Sequence, residues 1–183
     1  MNGGVGMNVL RKEKTYTIDD IYALRDGERA ELIDGRIYFM APPSRRHQRI
    51  IVDLSYQIEN YIRHNNGTCE VDIAPFAVFL NEDNINYVEP DISVICDLSK
   101  LDDKGCHGAP DWIIEIVSPG SRQMDCYKKL FRYRTAGVRE YWVVDPDKNI
   151  ITVYNFEADT MKEYSFEEDV PAGIYKDFSM RIS

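Results

Sequence analysis

Apolar positions recur along this chain with two different periods, and the changes of period mark out its elements. Ile50, Ile51, Leu54, Ile58, Tyr61 and Ile62 fall at helical spacing. They predict one long amphipathic helix, from a Ser44 cap to about His64, stopped by Asn66-Gly67. Upstream, Thr17 followed by Asp19, Asp20, Ile21 and Leu24 reads as a short N-capped helix with acids in its first turn. Ala30–Ile33 and Arg36–Met40 are apolar runs separated by Asp34-Gly35. Both turn residues tolerate the positive φ of a tight two-residue connection, so a hairpin is expected. Residues 68–80 alternate and are rich in Val, Ile and Phe, which predicts one or two strands, weakened in the middle by Pro75.

In the second half, Val88–Ile95 and Asp111–Val117 read as strands and Ser121–Ala136 as a helix stopped by Gly137. Glu140–Val144 and Ile150–Phe156 read as two further strands joined at Asp145-Pro146-Asp147. On the 121–136 helix, Asp125, Lys129 and Arg132 or Tyr133 share one face, with Met124, Tyr127, Leu130 and Phe131 opposite. Tyr141-Trp142 is expected in the core, because a half-buried strand favours aromatics. With no internal repeat and no linker, residues 1–14 read as a flexible lead-in and 15–183 as a single domain.

Composition narrows the function. The 183 residues are 44% hydrophobic and 29% charged, which suits a folded chain rather than a disordered one. A net charge of −9 argues against non-specific coating of nucleic acid. That charge is uneven, however. Residues 157–169 hold six acids against one lysine and read as a solvated loop and edge strand, whereas 121–139 hold six bases against one acid. No apolar run is long enough for a membrane span or a signal-peptide core, and a cytoplasmic location is expected. The four cysteines, at 69, 96, 106 and 126, lack metal-site spacing and read as reduced, structural thiols.

Two carboxylates stand out. Strand alternation puts Glu89, Asp91 and Ser93 on one side of the 88–95 segment, with Pro90 an unusual neighbour for a strand acid. Glu115 lies among four aliphatic residues at a strand centre, where a charge is costly unless it is paired or binds a cation. Carboxylates from two strands are what a hard divalent cation requires. Ser121 at the start of the next helix is a natural place for a phosphate. Lys129 can reach back toward the two acids, and Lys128 takes that role if the helical register differs by one. The bland alternatives are an ion pair of Glu115 with Arg132 and a surface pair of Lys129 with Asp125. His47, in the first turn of the long helix beside Arg45, Arg46 and Arg49, either binds phosphate, moves a proton, or caps the surface.

The arrangement resembles the PD-(D/E)XK nuclease superfamily, with Pro90-Asp91 as the first half-motif and Glu115-Ile116-Val117 as the second, Val117 standing where a lysine is usual. Within it the chain is most similar to the Uma family of putative restriction endonucleases. The residues that carry this likeness are Glu115, Val117, Ser118 and Pro119, then Asp125, Lys129 and Tyr133. Gly137-Val138-Arg139-Glu140-Tyr141-Trp142, Glu31-Leu32-Ile33-Asp34-Gly35, and Ser44 with His47-Gln48 add to it. The resemblance covers roughly residues 15–156. It implies a mixed α/β fold with a restriction-endonuclease-like core, a central mixed sheet flanked by helices, and an N-terminal hairpin extension. It also implies metal-dependent phosphodiester hydrolysis on DNA, with Asp91, Glu115 and Lys129 as the active centre.

The expectation is therefore an endonuclease in which Asp91 and Glu115 hold Mg²⁺ or Mn²⁺ and Glu31 completes the metal shell. Lys129 positions a water or meets the charge on phosphorus. His47, Arg46, Ser121 and Arg132 contact the substrate, and arginines at 45–49 and within 122–139 hold the DNA backbone. A homodimer is an option, because two cuts on a duplex need two sites. The rival readings are a nuclease-fold DNA- or protein-binding module without catalysis, and a hydrolase of a small phosphorylated ligand.

Overall fold

The computed structural model describes residues 14–81, 83–118 and 124–182, with the backbone alone for 124–126. Helix α1 is Ile18–Tyr22; its cap is closed by Asp20, whose carboxylate accepts the Thr17 N–H at 2.8 Å. Strands β1 (Ala30–Ile33) and β2 (Arg36–Phe39) pair antiparallel around Asp34 and Gly35, whose φ values of 54° and 69° are those of the expected tight turn. Helix α2 is Arg45–His64, with Ser44 Oγ accepting the His47 N–H at 3.2 Å. Both ends lie where the caps predict.

The central sheet has six strands in the order β11-β10-β9-β8-β5-β3: Thr160–Ser165, Ile150–Asn155, Glu140–Asp145, Trp112–Ile116, Ile92–Ile95 and Glu70–Ile73. The β8–β9 pair is parallel and the others antiparallel, so the sheet is mixed. A parallel pair needs a crossover. Here it runs through a widened helical turn at Met124–Lys129 and helix α3, Leu130–Ala136, which Gly137 ends at φ 100°. Two small sheets escape the sequence pattern: β4 (Val78–Phe79), β6 (Leu101–Asp102) and β7 (Gly105–His107) form one, and β12 (Val170–Pro171) with β13 (Ser179–Met180) the other.

Helix α2 covers one face of the sheet, burying Ile50, Ile51, Leu54, Ile58 and Ile62 against Ile92, Val94, Trp112, Ile114 and Trp142. On the other face Tyr133 of α3 packs with Ile95, Ile113, Tyr141 and Val143. Tyr141 and Trp142 are both fully buried, on opposite faces, as their core reading expects.

Three sequence expectations change. The strand expected at Val88–Ile95 begins only at Ile92. Val88 makes an isolated bridge to Val78, and Pro90, lacking an N–H, cannot continue the ladder. The helix expected from Ser121 starts outside the described residues, and its described part turns its apolar positions outward: Tyr127 is 72% and Phe131 60% exposed. The polar face, with Lys129 and Tyr133, points inward because buried carboxylates lie beneath it. Finally, the cysteines are not all reduced. Cys69 and Cys96 form a disulfide, while Cys106 is a free, buried thiol. The two partners are 27 residues apart. The register that sets Glu70 opposite Ile95 brings the flanking cysteines face to face, a proximity their spacing does not disclose.

Candidate active site

Strand register builds the centre. In the β5–β8 ladder Ile92 lies opposite Ile114, and one further step of the same register sets Asp91 opposite Glu115. Opposed residues of an antiparallel pair share a face. Asp91 has left the ladder, and its Oδ2 instead accepts the backbone N–H of Ile116 at 2.8 Å. That bond locks the carboxylate beside the end of β8. The same oxygen lies 3.1 Å from Nε2 of His47, delivered by the first turn of α2. Both contacts fall on Oδ2; among the described residues, Oδ1 of Asp91 has no hydrogen-bond partner.

Lys129 is buried, and its ammonium lies 2.9 Å from Glu115 Oε1 and 2.9 Å from Glu31 Oε2. Lys129, not Lys128, is therefore the lysine at the acids. Lys128 turns outward and donates to the Tyr38 hydroxyl at 2.7 Å. The Tyr133 hydroxyl donates to Glu115 Oε1 at 2.7 Å. Burial above all, and then the Glu115 charge, hold that phenol well above its ordinary value, so it stays a neutral donor. Lys129 and Tyr133 stand i, i+4, one turn apart on a single face.

Glu31 reaches the centre from β1. Its Oε1 accepts the Glu89 N–H at 3.0 Å while Oε2 meets Lys129. With both oxygens engaged, Glu31 anchors the lysine rather than facing outward as a metal-shell ligand. Glu89 itself turns away from Asp91. It takes a bidentate contact from Arg29, with Nε at 3.0 Å and a terminal nitrogen at 2.5 Å, and the Tyr87 hydroxyl at 2.8 Å. Sequence reasoning missed this support for the Pro90-Asp91 approach; the i, i+2 pairs Arg29/Glu31 and Tyr87/Glu89 were its only trace.

The remaining candidates lie further out. Arg132 pairs with Asp34 at the hairpin turn rather than with Glu115. Arg46 donates to the Asn149 side-chain carbonyl at 2.7 Å. Ser121 is outside the described residues.

The donor set can be tested against a cation. Glu31, Asp91 and Glu115, all at or below 9% exposure, gather about the single Lys129 ammonium among the described residues. Such a surplus of buried negative charge is costly without a further cation. The donors are hard oxygens, with Asp91 Oδ1 open. Among the described residues no three His, Cys, Asp or Glu side chains form a closed metal cluster. Two carboxylates with water and substrate phosphate completing the shell suit Mg²⁺ better than a dedicated cage does. The residues fit such an ion.

A family model described as "putative restriction endonuclease", Uma2, matches residues 17–179. The chain belongs to the Uma2 family. An uncharacterized protein of Synechocystis sp. is 28% identical over 136 residues, 74% of this chain and 70% of that protein. The crystal structure of a putative nuclease belonging to DUF820 from Anabaena variabilis superposes with a TM-score of 0.71 at 22% identity. It covers 86% of this chain and 89% of that one. That likeness bears on the fold: a mixed sheet flanked by helices, with the hairpin at its N-terminal side, is a nuclease fold here as the sequence resemblance implies. Uma2 membership makes the chain a member of a nuclease family, and among the described residues no helix is long and apolar enough to cross a membrane.

Proposed function

We propose that this Uma2 protein hydrolyses DNA phosphodiester bonds with a divalent metal, using Asp91 and Glu115 as the metal-holding carboxylates. The observation that carries the reading is the register step that opposes Asp91 to Glu115, with Asp91 Oδ1 left open and the lysine held at the neighbouring acid. Mg²⁺ or Mn²⁺ bound there would supply a polarised phosphoryl oxygen and a more acidic water.

The chain's own residues do the rest. Ile116 N–H and His47 fix the Asp91 carboxylate, so its free oxygen is aimed before substrate arrives. Lys129, steadied by Glu31, directs the attacking water or meets the charge building on phosphorus. Tyr133 fixes the Glu115 oxygen that pairs with Lys129.

The test is nicking of supercoiled plasmid with Mg²⁺, Mn²⁺ or EDTA. Wild type is expected to nick only with metal, and Asp91→Ala and Glu115→Ala to lose nicking while keeping the wild-type circular dichroism. Wild type that binds DNA yet cleaves no form of it with either metal would overturn the hydrolase reading in favour of a binding module.

A further inference from the structure

In a chain of net charge −9, the placement of cations lacking an acidic partner is informative. Several arginines are neutralised where they stand: Arg132 by Asp34, Arg134 by Asp159, and Arg139 by Asp111 and Glu157. A guanidinium committed to a carboxylate must break that pair before it can take a phosphate. The basic stretch at 121–139 is thus less available to an anion than its sequence charge suggests.

Two places differ. In the first turn of α2, Arg45 and Arg46 are exposed, and among the described residues neither meets a carboxylate; Arg46 bonds only the neutral amide of Asn149. Arg49, a turn further on, has Asp53 at its i+4 position. His47, next in sequence to Arg46, touches Asp91, so this turn stands directly beside the acid centre. Consecutive helical residues rise only about 1.5 Å.

Lys128 is the second place. Its ammonium meets the Tyr38 hydroxyl at 2.7 Å and lies 4.8 Å from that ring's centroid, again with a neutral partner. Tyr38 is paired across the hairpin with Glu31, and Lys128 adjoins Lys129. It therefore sits at the edge of the centre on the hairpin side, away from α2.

We propose that Arg45 and Arg46 on one side, and Lys128 on the other, form a phosphate clamp that holds the DNA backbone across the acid centre, and that Arg132 and Arg134 take no part. The clamp rests on the phosphodiesterase reading above. Its chemistry is that of charge: cations with neutral partners keep their full field for a polyanion and displace its counterions, whereas ion-paired ones contribute little. Lys128, adjacent to the buried lysine, thereby acquires a function of its own.

The experiment is anisotropy of a labelled duplex against salt, in EDTA so that cleavage does not intervene, with circular dichroism melts to verify folding. The slope of log K against log salt falls by about 0.9 for each phosphate contact removed. Arg45→Gln, Arg46→Gln and Lys128→Gln are each expected to lower it by about one, with Lys128→Arg restoring the last. Arg134→Gln is expected to leave it unchanged. The clamp is overturned if Arg134→Gln lowers the slope as much as Arg46→Gln, or if the Arg45, Arg46 and Lys128 variants leave it unmoved while wild type still nicks plasmid with metal. Wild type that neither binds nor nicks DNA at low salt removes the DNA reading itself, and the clamp with it.

Discussion

Tyr133 and Lys129 converge on the same oxygen of Glu115, the hydroxyl at 2.7 Å and the ammonium at 2.9 Å. The carboxylate is thereby fixed from one side of the sheet by a single turn of helix. Replacing Tyr133 by Phe keeps the ring packed against Tyr141, 5.0 Å between centroids, and removes only the donor. The loss of a hydrogen bond to a buried charge is expected to cost about 1.5–3 kcal/mol of stability. Metal-dependent nicking is expected to slow about tenfold, on the order of 1.4 kcal/mol in the barrier. Urea melts and nicking rates on the same preparation check both.

Glu31 and Glu115 share one ammonium, so their energetics are coupled. Lys129→Met leaves both acids buried without it and is expected to cost about 3–5 kcal/mol. Glu31→Gln alone is expected to cost less. In the double variant the two losses combine to less than their sum, by about 0.5–3 kcal/mol. Additive losses in urea denaturation would show that Glu31 does not hold the lysine.

Cys106 is buried under β4 and β6, and burial pushes its thiol from an ordinary 9.0 up to about 11. Burial likewise raises Tyr175 from 10.0 to about 12. In the unfolded chain both ionise earlier. The raised values therefore favour folding fully below the unfolded thiol's value near 9, and that contribution is lost as pH rises toward 11. The urea midpoint is expected to fall across this window. Cys106→Ala should fall less steeply; an identical pH profile for the two proteins would count against a buried neutral thiol.

The Cys69–Cys96 disulfide ties edge strand β3 to β5, the strand that leads out of Asp91, and joins residues 27 apart. Closing a loop of that size contributes about 3 kcal/mol by constraining the unfolded chain. Reductant, or Cys69→Ser, is expected to lower the urea midpoint accordingly. An unchanged midpoint, with mass spectrometry showing the bond reduced, would contradict this.

Local features were legible in the amino-acid order. The Asp34-Gly35 turn, the Ser44 cap, the α2 stripe and the Gly137 stop each depend on neighbours a few residues apart, so periodicity and turn chemistry suffice. The acids at 31, 91 and 115 also stood out, because charge in an apolar strand context is costly wherever it lies. The choice between Lys128 and Lys129 was not legible: a widened helical turn decides which side chain faces inward, and only acids from two distant strands reward one of them. The same burial requirement turned Tyr127 and Phe131 outward against their apolar character. Which arginines keep an unopposed charge, and which cysteines meet, likewise depends on residues far apart in sequence. The sequence determined the elements, their caps and the candidate chemistry. Tertiary structure alone decided register, which set Asp91 opposite Glu115 and Cys69 opposite Cys96, because pairing across strands is fixed by which faces the whole chain can bury together.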